Sequence, residues 1–206
     1  MTCIRYWALA GLALATPALA GQQMLSVDWK QPEIKAYVAE AASGKRSSVM
    51  PADEARLSTL KLPVLGFARA PGELTRSLGT SAAPSPKRKL IMDDENPVWY
   101  QLVERYDGIT ISIDADLRLQ EDLPPSAQVF GRIPGPDSTS KVSVIDGSTE
   151  PGMTGAVAEY TVFKYPNIPY RVTIECTEKM REYCRNPSAI TRDSDTLKLI
   201  SARPPE

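Results

Sequence analysis

Between residues 109 and 120 apolar and polar positions alternate without a break: Ile109, Ile111, Ile113, Ala115, Leu117 and Leu119 against Thr110, Ser112, Asp114, Asp116, Arg118 and Gln120. A period of two is that of a strand with one face in a core. The stretch 98–106 reads as a second strand, and Asp107-Gly108 between them suits a type I′ turn, whose positive φ angles favour this dipeptide. Closure through two residues fixes the register, because a slip of one would exchange the two faces. Tyr106 then faces Ile109, Leu102 faces Ile113 and Tyr100 faces Ala115 on the core side. Trp99, Gln101, Val103 and Arg105 share the opposite face with Asp116, Asp114, Ser112 and Thr110.

The pattern returns at 156–165 and 170–176, where Tyr170, Val172, Ile174 and Cys176 alternate with Arg171, Thr173 and Glu175. Pro166-Asn167-Ile168-Pro169 is the expected turn. Segments 103–109 and 162–168 share Val, Tyr and Ile at matching positions, which an ancient duplication would explain, although hairpins share such composition for physical reasons. Shorter strands are expected at 62–67, with Pro63 placing it at an edge or a strand start, and at 127–133 and 141–145. A helix is expected over 32–42, with Pro32 in its first turn and Gly44 past its end. Its Ile34, Tyr37, Val38 and Ala41 form one apolar stripe that packs on something. Residues 51–57 suit a short helix, 72–78 a turn or two, and 187–201 helical elements for which Asp193 or Asp195 would be the N-cap. Residues 80–89, with the basic run Lys87-Arg88-Lys89, read as a solvated loop.

The fold class is therefore α+β: a helical N-terminal segment packed on a mainly antiparallel sheet built around two β-hairpins. The expected organisation is a cleaved signal peptide at 1–20, the helical segment at 21–60 and a sheet-rich globular domain at 61–206. The first 20 residues have a basic start ending at Arg5, an apolar run over 6–16, and Pro17 before the small-x-small site Ala18-Leu19-Ala20. The apolar run is short of the roughly 20 residues a membrane span needs. After cleavage the chain is expected not to span a membrane and to be periplasmic or secreted, which also excludes a nuclear-localisation role for Lys87-Arg88-Lys89. Cleavage removes Cys3 and leaves Cys176 and Cys184, which in an oxidising compartment are expected to form a disulfide near the C-terminus. Closing that loop is worth roughly 2 to 3 kcal/mol on the chain-entropy account.

Composition narrows the chemistry. Lys and Arg number 24 against 25 Asp and Glu, so no polybasic field exists to hold a nucleic-acid backbone. There is no histidine, which removes Ser-His-Asp and Cys-His catalysis and every His-containing metal site. No cofactor and no metal are expected. Ser58-Thr59-Leu60-Lys61 has the S-x-x-K spacing of penicillin-recognising enzymes but lacks their companion S-D-N and K-T-G motifs. Asp93-Asp94-Glu95 offers oxygen ligands to Ca²⁺ without the spacing of a calcium loop, and reads better as an exposed acidic turn.

The candidate ligand site is the polar face of the first hairpin, with Trp99, Gln101, Asp114 and Asp116. Two carboxylates at i and i+2 on a strand lie roughly 6 to 7 Å apart on one face, near the separation used in glycoside hydrolysis. Arg118 is expected to keep both ionised, which argues against an acid catalyst. Trp99 suits stacking on a sugar ring rimmed by polar groups, unless the helix at 32–42 covers it. The sequence thus favours a non-catalytic binding or accessory module for an envelope glycan or another exported protein. A carboxylate-dependent hydrolase of envelope polysaccharide and an inhibitor of a secreted hydrolase are the alternatives.

Overall fold

The computed structural model describes residues 25–45, 50–79, 85–118, 138–147, 155–165 and 168–204. The signal segment, the strand expected at 127–133 and residues 80–84 of the expected loop lie outside them. Two antiparallel sheets organise the described chain. The larger contains β2 (Lys87–Met92), β3 (Trp99–Tyr106), β4 (Ile109–Asp116), β5 (Ser138–Thr139), β6 (Ser143–Asp146), β7 (Ala156–Tyr165) and β8 (Ile168–Cys176), in the order β2-β3-β4-β8-β7-β5, with β6 also on β7. The smaller is a ribbon of β1 (Val64–Phe67) and β9 (Leu197–Ser201).

The first hairpin has the register set by its turn, from Tyr106 opposite Ile109 to Trp99 opposite Asp116. Gly108 has φ +79°, the left-handed backbone such a turn requires. The second hairpin closes equally tightly. Tyr165 pairs with Ile168, so β8 begins two residues earlier than the spacing of prolines suggests. Pro169 is tolerated there because the ladder with β4 starts only at Tyr170 opposite Ala115, leaving no bond on that side for the missing N–H to make. The two hairpins thus share a Tyr-x-x-Ile closure.

One face of the large sheet is the core. Tyr100, Leu102, Ile111, Ile113, Tyr170 and Val172 are fully buried on it. The ribbon lies against this face through two tyrosine hydroxyls: Leu65 N–H donates to Tyr100 at 2.9 Å, and Tyr170 donates to the Pro63 carbonyl at 3.1 Å. The helix over 32–42 forms as expected, as α1 (Pro32–Ala42). Its stripe is narrower than the pattern implies, with Ile34 buried and Ala41 exposed. Tyr37 anchors it to β9 by donating to the Ile200 carbonyl at 2.6 Å.

Two segments differ from expectation. Lys87-Arg88-Lys89 is not in a loop but opens β2, an edge strand whose lysines point to solvent while Arg88 points inward. Lysine at an edge discourages pairing with other chains, so a basic run and a strand are compatible there. The C-terminal stretch is helical only in α5 (Pro187–Ser194) and ends in β9, because Leu197, Leu199 and Ile200 bury against β1. Neither Asp193 nor Asp195 is the N-cap of α5, since both lie at its C-terminal end. Asn186 is, accepting from the Ala189 N–H at 3.1 Å.

The short helices α2 (Glu54–Leu57), α3 (Gly72–Ser77) and α4 (Arg181–Cys184) complete the fold. The disulfide joins Cys176 at the end of β8 to Cys184 in α4, with Cα atoms 6.1 Å apart. No helix among the described residues is long and apolar enough to cross a membrane.

Candidate functional site

The polar face of the large sheet brings the sequence-derived site residues together by strand register alone. Trp99 lies opposite Asp116 and Gln101 opposite Asp114, and Arg171 of β8 flanks Asp114 from the other side. All four are partly exposed. Arg118 does not serve both carboxylates. It closes on Asp116, donating from Nε at 2.9 and 3.0 Å, from Nη2 at 2.6 Å and from its backbone N–H at 2.8 Å. The same guanidinium stands 6.0 Å from the Trp99 ring centroid, the outer range of a cation–π contact.

Asp114 has a different environment. Its partners are the Gln101 side chain and the charge of Arg171, and partial burial outweighs both to push its carboxyl above the ordinary aspartate range. Neighbouring carboxylates on one face are therefore held differently: one in an ion pair, the other in a half-buried amide contact. Along β3 and β4 the face continues with Val103 and Arg105, and with Ser112 and Thr110. It offers a ring, an amide, two carboxylates, three guanidiniums and hydroxyls on one surface.

Beneath this face is a buried polar network that the pattern of hydrophobic positions did not single out. Glu104 lies in the core row of β3 with no exposed surface. Arg88 donates to it from Nε at 2.8 Å and Tyr106 from its hydroxyl at 3.0 Å, while Arg88 Nη2 reaches the Phe67 carbonyl at 2.6 Å. Burial pushes the Glu104 carboxyl up against the opposing pull of Arg88. A second buried carboxylate, Asp193, accepts from the backbone N–H groups of Glu73 and Leu74 and from the Tyr183 hydroxyl. The signal for Glu104 was its parity, since a strand that turns Leu102 and Tyr106 toward the core also turns the residue between them that way. Its partner, sixteen residues away in β2, carried no such signal. Buried carboxylates with their oxygens bonded to the protein are structural ties rather than reagents.

The other sequence candidates resolve into local structure. The Ser58 hydroxyl donates to the Ala55 carbonyl at 2.7 Å, ending α2, and Lys61 is exposed. Asp93 accepts from the N–H groups of Glu95 and Asn96, and Asp94 pairs with Arg56 at 2.9 Å. Among the described residues no group of three or more His, Cys, Asp or Glu is placed to hold a metal. Comparison with protein families, with curated proteins and with solved structures finds no match to this chain.

Proposed function

We propose that this chain is an exported, non-catalytic binding module of the cell envelope, and that it engages a glycan through the polar face of its large sheet. The observation that carries the reading is Trp99. A large aromatic on the outer face of a sheet, partly exposed and set among Gln101, Asp114, Asp116 and Arg118, has the composition of a sugar platform: an apolar ring for the hydrophobic side of a pyranose and a polar rim for its hydroxyls. Export is supported by the three-part N-terminal pattern and by a disulfide of the kind that persists outside the reducing cytoplasm. Co-sedimentation of the purified chain with insoluble cell-wall glycan tests the reading. Retention of the parent and loss of the Trp99→Ala variant are expected; equal behaviour of the two would overturn it.

A carboxylate-dependent hydrolase is the second reading, favoured by one observation. Asp114 is biased toward its protonated form by burial while Asp116 is ion-paired, and such divergence is how two carboxyl groups divide acid and base roles. Release of reducing sugar ends from the same glycan, abolished by Asp114→Asn, would establish turnover and displace the binding reading.

A further inference from the structure

The same face carries an arrangement that the fold does not need. Lys87 of β2 lies directly opposite Arg105 of β3, and Lys89 projects from the same face two residues along. All three are exposed, and among the described residues none is in an ion pair. Like charges directly opposed across a ladder destabilise it. Protection of an edge strand accounts for Lys87 and Lys89 but not for Arg105, which sits on β3 between β2 and β4. A negative partner laid over this cluster would relieve the repulsion.

The cluster is collinear with Trp99. Along the outer face of β3 the order is Trp99, Gln101, Val103, Arg105: ring, amide, apolar side chain, cation. Six residues of strand span about 20 Å, enough for several sugar units laid end to end. Lys89 stands opposite Val103 and Lys87 opposite Arg105, so the cations gather at one end of the track and the aromatic at the other. Beyond β3 the same face carries Asp114 and Asp116 beside Gln101 and Trp99, Arg171 beside Asp114, and Glu175 and Glu159 farther out on β8 and β7, so the acidic groups of an anionic chain are directed to the Lys87, Lys89 and Arg105 end on the β2–β3 side.

Resting on the glycan reading above, we infer that the ligand is a linear anionic polysaccharide that runs along β3, one sugar over Trp99 and its acidic groups over Lys87, Lys89 and Arg105. The cations supply attraction that salt screens, and the ring supplies attraction that salt leaves largely intact.

Affinity electrophoresis through gels containing polygalacturonate, and through gels containing neutral dextran, tests this with the full chain. The parent is expected to be retarded by polygalacturonate and not by dextran, with retardation weakening as salt rises. The triple variant Lys87→Gln, Lys89→Gln, Arg105→Gln is expected to lose at least tenfold in affinity with an unchanged or higher melting temperature. Trp99→Ala is expected to lose affinity while keeping the salt dependence. Retardation of the triple variant equal to the parent overturns the inference. Equal retardation of the parent by dextran and polygalacturonate overturns the anionic assignment and leaves the glycan reading standing, whereas no retardation by either polymer and no retention on cell-wall glycan overturns both.

Discussion

Asp193, near the end of α5, caps the start of α3: its carboxylate oxygens accept from the backbone N–H groups of Glu73 and Leu74 at 2.9 and 2.8 Å. Leu74 is fully buried, and the Tyr183 hydroxyl donates to the same carboxylate at 2.9 Å, so one side chain ties the consecutive helices α4 and α5 to α3, which is distant in sequence. Replacing Asp193 by Ala leaves two amides and a buried hydroxyl without an acceptor. A loss of about 3 kcal/mol is expected from urea unfolding, given roughly 1 to 3 kcal/mol for each buried group left unbonded, partly recovered by water. Asp193→Asn keeps one acceptor and should lose less. If Ala costs no more than an exposed surface substitution, the capping account is wrong.

Among the described glycines, Gly155 has the closest approach to neighbouring backbone. Its φ is +92°, and a Cβ built on it would stand 2.0 Å from the Cys176 carbonyl oxygen, a backbone atom that cannot move without disturbing β8. Gly155→Ala is expected to cost at least about 2 kcal/mol through steric overlap and the unfavourable dihedral. Gly72→Ala is the control, since nothing lies within 4 Å of the added carbon and the site opens a helix. Its unfolding midpoint should equal or exceed that of the parent.

The two hairpins differ in how far the sequence specifies them. The first hairpin was legible because unbroken alternation and Asp107-Gly108 specify the same register independently. The second was legible in its strands but not in its turn, since Pro169 suggested a strand start at Tyr170 and only the end of the β4 ladder shows why β8 can begin before it. β9 was hidden because Leu197 to Ser201 is a short apolar run, whose period does not separate strand from buried helix, and its partner β1 is far away in sequence. The polar row of Trp99, Gln101, Asp114 and Asp116 followed from register. The division of labour between the carboxylates did not, because it depends on Arg118 folding back on Asp116 and on Arg171 arriving from another hairpin.

Stability should depend on pH through the buried carboxyls. Burial raises Glu104 above its ordinary value of 4.5 and Asp193 above 3.8. The native chain therefore holds a proton at each where the unfolded chain has released it. The stability this contributes is complete below the unfolded values and is lost as pH rises through the folded ones. Glu104→Gln removes one of the two groups, so the urea midpoint of the parent should fall more steeply with rising pH than that of the variant. Identical slopes from about pH 4 upward would refute the raised Glu104 carboxyl.

Export is tested at the N-terminus. Mass spectrometry of the protein recovered from the envelope or medium of expressing bacterial cells should give Gly21 as the first residue, with Cys176 and Cys184 in one peptide two daltons lighter than its reduced form. A chain that stays in the cytoplasm with residues 1–20 intact would remove the compartment on which the proposed function depends.

Trp99 decides the rest. Its ring is partly exposed with Arg118 beside it, and it packs only partly against the core. Titration of parent and Trp99→Ala with polygalacturonate, alongside thermal unfolding of both, is the most direct measurement. The predicted result is a loss of at least tenfold in affinity with a melting temperature within a few degrees of the parent. A loss of roughly 3 to 5 kcal/mol in stability, the cost of truncating a core tryptophan, with affinity unchanged, would make Trp99 a packing residue and contradict the account.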